Sequence, residues 1–265
     1  MIGNYRALSA LTTLLLLSAE ASATIVRFET AQGRFDVNLY DKKTPATVAN
    51  FLAYVNSGAY NTVVFHRSVS GFIVQGGGYT FPGALPLGTV TARAAVVNEP
   101  LLSNVRGTIA MAKVAGNPNS ATSQWFINVA NNSTTLDTQN GGFTVFGEVV
   151  SGGMTVVDAI NALPTFNAAT GFEELPLRNY TAANLTAGVA ITDQNLVYAT
   201  TVSVLDSNVD SAASLTPVTN TLIKGSSSTS TSGSTSSSGG GGGATGVLSV
   251  LGLGALALGR RLRRR

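Results

Sequence analysis

The sequence predicts a mainly β fold: a closed antiparallel β-barrel capped by two α-helices. Two observations lead there. Between Thr24 and Asp206 short apolar runs recur with turn-forming residues between them. In the same stretch two segments, Thr44–Gly58 and Thr155–Leu163, repeat apolar residues at helical spacing. No internal repeat of about 20–50 residues appears.

The elements follow in order. Ile25–Thr30 and Gly33–Leu39 read as a hairpin turned at Ala31-Gln32-Gly33. Thr44 suits a helix N-cap and Pro45 the first helical position, where its missing N–H costs nothing. Val48, Phe51, Leu52 and Val55 then share one helix face, and Gly58 ends it. Val63–His66, Phe72–Gln75, Thr108–Met111, Gln124–Val129 and Val145–Val149 are strand candidates. A helix over Thr155–Leu163 puts Val156, Val157 and Ile160 on one face, with Pro164 as its stop. Thr165–Asp193, scattered with Asn, Gly and Pro, reads as a long surface excursion before a last strand, Leu196–Leu205.

Composition narrows the chemistry. The 265 residues are 44% hydrophobic and 11% charged, enough for a sizeable core. The absence of cysteine excludes disulfides, thiol nucleophiles, zinc knuckles and iron–sulfur ligation. A single histidine, His66, excludes any site built on two imidazoles, and a Ser-His-Asp triad would have to use it. These exclusions favour metal-free, non-covalent chemistry or plain binding. The net charge of +3 and pI near 9.3 suggest an anionic partner until the charges are placed. Five of the 16 basic residues, Arg260, Arg261, Arg263, Arg264 and Arg265, lie in the last six positions. Between Thr24 and Lys224, ten basic and twelve acidic side chains leave the body slightly acidic. No nucleic-acid partner is expected.

Both ends carry targeting patterns. Residues 1–23 read as a secretory signal peptide, with Arg6, an apolar run Leu8–Leu17 and an Ala21-Ser22-Ala23 cleavage site. A buried first helix would fit Glu20 and the small residues after it poorly. Residues 207–243 read as a linker in which Ser226–Ser238 and Gly239–Gly243 bury nothing and form a flexible tether. Residues 244–265 join an apolar segment to the arginine cluster. Ala244–Gly259 is short for a bilayer span of about 17–25 residues, and the arginines behind it would stay cytoplasmic. This tail resembles the glycine-glycine C-terminal sorting signals of Gram-negative bacteria, which a rhomboid-type membrane protease cuts near the glycines. A permanent membrane anchor is the other reading. Either way the protein is expected outside the cytoplasm, in the periplasm or at the cell surface or secreted, at least transiently anchored in the inner membrane.

Four blocks carry the functional signal. They are Phe65-His66-Arg67 leading to Gly71-Phe72-Ile73-Val74-Gln75-Gly76-Gly77-Gly78, then Arg106–Ala112, Ser123–Asn128 and Val145-Phe146-Gly147. In this order and spacing the chain resembles the cyclophilins, most closely their exported bacterial branch, from Ile25 to Leu205. The resemblance implies an eight-stranded barrel with two capping helices, spanning the 24–206 domain. It also implies peptidyl-prolyl cis-trans isomerase activity on proline-containing polypeptides, by a monomer with no cofactor or metal. Rotation about a peptide bond needs no nucleophile, which agrees with what composition leaves. The barrier, about 18–20 kcal/mol, comes from amide resonance. A fixed cationic donor aimed at the prolyl nitrogen lowers it by stabilising the twisted amide.

By the same resemblance, Arg67 is that donor, and Gln75 holds the arginine and the substrate backbone. Phe72, Ile73, Phe126 and Leu136 match the walls of the proline pocket. Phe143 takes an aromatic position beside it, while Ala112 and Gln124 line the groove for the flanking peptide. Each has a plainer reading: a surface ion pair for Arg67, core packing for the apolar residues. His66 is read as a packed, hydrogen-bonded residue. Thr135 stands where many eukaryotic members have tryptophan, implying weak cyclosporin sensitivity. The segment between Leu136 and Phe143 is longer than in the eukaryotic form. Trp125 replaces a phenylalanine and should face the core on the opposite side of its strand from Phe126. A proline-segment binding module without turnover, or a surface-displayed interaction protein, are the alternatives to an enzyme.

Overall fold

The chain opens with β1 (Ile25–Thr30) and β2 (Gly33–Leu39), paired antiparallel from Ile25↔Asn38 to Thr30↔Gly33. These belong to a computed structural model that describes residues 24–207 and 215–223. Alternation gives the hairpin a wet and a dry face. Arg27 and Asp36, partners in register, form a two-pronged ion pair at 2.8 and 2.9 Å. On the other face Phe28 and Phe35 stack with centroids 4.7 Å apart.

Helix α1 (Pro45–Asn56) starts at the proline, as its fixed φ favours. The expected Thr44 cap is not made: its side chain accepts no cap hydrogen bond. Glu99 takes that place from a distant loop. The Thr47 N–H and hydroxyl donate to Glu99 Oε2 at 2.9 and 2.7 Å. A carboxylate there also meets the positive end of the helix dipole, which a threonine hydroxyl could not match. Thr47, Val48, Phe51, Tyr54 and Val55 lie on the buried side of the helix.

The body continues through β3 (Val63–Val64), β4 (Arg67–Val69), β5 (Ile73–Gly76), β6 (Tyr79–Thr80) and β7 (Gly88–Thr89). It then runs through β8 (Thr108–Met111), β9 (Trp125–Asn128), α2 (Ser133–Leu136), β10 (Val145–Val150) and α3 (Met154–Asn161). Last come β11 (Thr165–Phe166), β12 (Leu175–Pro176), α4 (Ala182–Thr186) and β13 (Tyr198–Asp206). Eleven strands make one curled antiparallel sheet in the order β4-β5-β9-β8-β10-β2-β1-β13-β3-β6-β7. The architecture is mainly β with few helices. Against the expected eight strands and two helices, the described residues hold more and shorter pieces. The 63–69 run splits at Phe65-His66, and β6 and β7 are two-residue strands. α2 and α4, of four and five residues, are too short to show a helical period in sequence.

Most of the core lies on one face of the sheet around Trp125, which is fully buried. Its indole meets Phe28, Phe65 and Tyr60 edge-on at centroid distances of 5.3, 5.8 and 6.3 Å. Above it the backbone passes too closely for any side chain. A Cβ on Gly76 would stand 2.7 Å from Trp125 Cη2, and one on Gly77 2.3 Å from the Ser123 carbonyl oxygen. Gly77 also has φ of 85°, a left-handed value that other residues resist.

Thr165–Asp193 is not the loose excursion its composition suggests. β11 and β12 pair as a hairpin, and α4 carries a capping box between Thr181 and Asn184. Phe166, Phe172, Leu175, Leu177 and Tyr180 build a second apolar cluster with Val64, Phe81 and Leu196. Scattered polar residues hid these few apolar anchors, which only pack when the sheet edge is present.

Residues 215–223, inside the stretch read as linker, lie against the body. The Ser103 N–H donates to Val218 O at 2.8 Å, and the Asn220 N–H to Leu101 O at 2.9 Å. Asn220, 8% exposed, also donates to the Asp137 carbonyl at 2.9 Å. Residues 1–23, read as a signal peptide, residues 208–214, and residues 224–265, read as a tether and apolar tail, lie outside the described residues. Among those described, no helix is long and apolar enough to cross a membrane.

Two substitutions, with a third as a control, test this packing. Gly77→Ala should cost about 3 kcal/mol or more, since clash and strain add. Asn220→Ala should cost about 1–2 kcal/mol through the lost Asp137 contact, whereas the exposed Thr221→Ala should be nearly silent. Urea melts of the variants measure both.

Candidate functional site

The site grows out of sheet register. Arg67 on β4 pairs with Gln75 on β5, Gln75 pairs with Phe126 on β9, and Phe126 with Ala110 on β8. Residues in one row point to one face. Two positions back along β5, Ile73 joins that face. Trp125 and Ile127 alternate to the main core instead, as expected for Trp125. A distinct apolar cluster therefore forms on the second face: Ile73, Ala112, Phe126, Leu136 and Phe143, with Phe72 packed against it.

All nine residues singled out in the sequence thus fall into two adjoining groups. The apolar group is dense: Phe126 and Phe143 meet edge-on at 5.7 Å, and both are almost fully buried. The Phe143 N–H donates to the Leu136 carbonyl at 2.9 Å, so the longer segment between them closes on itself. In the polar group Gln75 Nε2 donates to Gln124 Oε1 at 2.9 Å and Gln75 Oε1 has no partner among the described residues, so Gln75 does not hold the arginine as expected. Arg67 remains 22% exposed and its Nε–H donates to Glu174 at 2.6 Å. Arg67 thus makes the surface ion pair of its plainer reading.

A buried polar network fixes the backbone behind the apolar walls. Asp137 accepts from the Asn104 N–H at 2.7 Å and from Asn104 Nδ2 at 3.0 Å. Asn104 Nδ2 also donates to the Phe143 carbonyl at 3.1 Å. Asn132 Nδ2 donates to Phe72 O and to Asn128 Oδ1, each at 2.8 Å. Burying these amides without partners would be costly, so the matched set holds one arrangement. Lys113, 3% exposed, supports the same wall: Nζ donates to Asn140 O at 2.9 Å and lies 4.8 Å from the Phe143 ring centroid. Burial pushes its pKa down to about 8. Sequence reasoning missed Asn104, Asn128, Asn132, Asp137, Lys113 and Glu174, because isolated polar residues carry no periodicity. The one available signal was for Asn128, which ends the Ser123–Asn128 block.

The fold and the site now bear comparison with known proteins. Residues 25–182 match the family model for cyclophilin type peptidyl-prolyl cis-trans isomerases. The chain belongs to this family. A peptidyl-prolyl cis-trans isomerase of Acinetobacter baylyi is 43% identical over 155 residues, covering 57% of this chain and 79% of that one. Isomerase B of Escherichia coli is 42% identical over 147 residues, covering 53% of this chain and 86% of its own. A solved Cryptosporidium parvum cyclophilin shares the fold, with TM-score 0.50 at 20% identity over 70% of this chain and 99% of its own.

His66 is packed rather than reactive. It is 5% exposed, with Tyr79 edge-on at 5.0 Å. Burial, aided by the Arg67 charge, lowers its pKa from 6.5 to about 4. The ring is neutral in the fold, while the unfolded chain protonates it near pH 6.5. Unfolding therefore takes up a proton in that window, and stability present above pH 6.5 is lost as pH falls through 4. Since this is the only histidine, His66→Phe should remove up to about 3 kcal/mol of that pH dependence. Urea melts of both proteins between pH 4 and 7 measure the difference.

Proposed function

We propose that Arg67 is the catalytic group of this isomerase and that its substrates are X-Pro segments of exported polypeptides. The observation that carries the reading is the row Arg67↔Gln75↔Phe126, which sets a cation beside an apolar cluster on one face. A proline ring packs against the partly buried Phe72, backed by Ile73, Phe126, Leu136 and Phe143. The flanking backbone lies along Ala112 and Gln124, and Gln75 fixes its carbonyl. The prolyl nitrogen then faces the guanidinium. As the bond twists, resonance is lost, the nitrogen becomes pyramidal and its lone pair accepts from Arg67. The donor is in place before the reaction, so no reorganisation is spent in the transition state. Burial of the walls strengthens that interaction by excluding water.

The same reading closes the sheet into a barrel through residues 63–69. Its support is the Phe65 N–H donating to Val197 O at 2.9 Å and the His66 N–H to Gln75 O at 3.0 Å. Export rests on the signal-peptide pattern of residues 1–23, and surface sorting or anchoring on the 244–265 pattern. Uncatalysed prolyl isomerisation takes tens to hundreds of seconds, slow enough to limit folding of exported clients.

Exchange of a short X-Pro peptide, followed by NMR, is the test. Arg67→Ala should lower kcat/KM about 10²–10³-fold, as loss of one transition-state donor does, while peptide binding shifts persist. Unchanged exchange in the variant would sink the role of Arg67. Binding without accelerated exchange in the parent would leave a proline-binding module.

A further inference from the structure

The arm that composition left as an excursion ends beside the cation. Glu174, the residue before β12, accepts the Arg67 Nε–H at 2.6 Å, and its carbonyl accepts the Ser68 N–H at 2.9 Å. Two successive residues of β4 are thus tied to one residue of the arm. We propose that Glu174 is the positioning residue of the Arg67 guanidinium, keeping its terminal amino groups on the groove side. This rests on the reading of Arg67 as the catalytic group.

Arginine has a long side chain with many rotamers, and a donor that wanders over them is seldom aimed at the prolyl nitrogen. The anchors around β4 remove that freedom stepwise. From α3, Asn161 Nδ2 donates to Ser68 Oγ at 2.9 Å and to Val69 O at 3.0 Å, which fixes the strand. From the arm, Glu174 fixes the side chain. Its own backbone is held because Leu175, 3% exposed, packs with Val64, Phe166 and Phe172. The carboxylate takes Nε, so it leaves the two terminal nitrogens of the fork to the substrate.

A purely stabilising role explains the pair poorly. Arg67 and Glu174 are 22% and 39% exposed, and pairs so open to water contribute little to folding. Quenching of the cation is also opposed by the geometry. Screening weakens the pair's field, and the carboxylate sits on the Nε edge rather than across the terminal fork.

The test uses the full chain and a short X-Pro peptide, with kcat and KM from exchange kinetics. Glu174→Ala should lower kcat about tenfold, as a misplaced group does, with KM within about twofold. Glu174→Gln keeps an acceptor for the Nε–H and should fall between. Its thermal midpoint should stay within about 2 °C of the parent, which separates turnover from folding. In an Arg67→Lys background, where no Nε–H exists, Glu174→Ala should add no further loss. The Arg67 Nε–H proton resonance should move upfield in Glu174→Ala. Unchanged or faster turnover in Glu174→Ala, with Arg67→Lys still impaired, would overturn the positioning role alone. Full turnover in Arg67→Lys and Arg67→Ala would instead overturn the catalytic reading beneath it.

Discussion

The close passage of Gly76 and Gly77 over the Trp125 indole is the contact on which the rest of the structure turns. A hypothetical Cβ at Gly76 would lie 2.7 Å from the ring, so β5 can approach β9 only because those positions have no side chain. That approach sets the register in which Gln75 meets Phe126. With Trp125 committed to the main core, strand alternation turns Phe126 to the opposite face. The apolar site is thus the reverse side of the core's largest side chain. Packing on both faces is decided by one strand of four residues.

The chemistry that follows is economical. Amide rotation asks for a shaped apolar surface and one donor held in place. In the proposed reading that surface is the partly buried Phe72, with Ile73, Phe126, Leu136 and Phe143, all nearly or fully buried, packed behind it. Its shape is held from behind by Asn104, Asn128, Asn132 and Asp137, whose hydrogen bonds reach the backbone at Phe72 and Phe143. Such a network tolerates few alternatives, because each polar atom left unmatched would carry a desolvation cost. His66, neutral and packed beside the arginine, adds no competing charge.

Two segments outside the main sheet reach the edges of this site. The arm at 165–177 builds its own apolar cluster on Val64 and delivers Glu174 to Arg67. Residues 215–223 pair with Leu101–Ser103 and hold the Asp137 carbonyl, while Leu215 packs against the site's apolar cluster. One segment meets the polar half of the site and the other the apolar half.

By itself the sequence determined the elements whose logic is local. The β1–β2 hairpin and the buried face of α1 follow from period-two and period-3.6 placement of apolar residues, the start of α1 from Pro45, and the two faces of β9 from strand alternation. The order of the four motif blocks made Arg67, Gln75 and the apolar walls legible as one group. Tertiary structure alone decided the partners of isolated polar residues. Glu99 caps α1 from 52 residues away, and Glu174 meets Arg67 across 107. Neither leaves a periodic trace, because a single carboxylate finds its partner only after the intervening chain has packed. The same holds for the 165–193 arm and the 215–223 segment, whose few apolar residues bury nothing until the sheet edge offers them a surface. Local pattern fixes which way a side chain points. Which distant group it meets depends on the closure of long loops, and that is settled by the packing of the whole sheet.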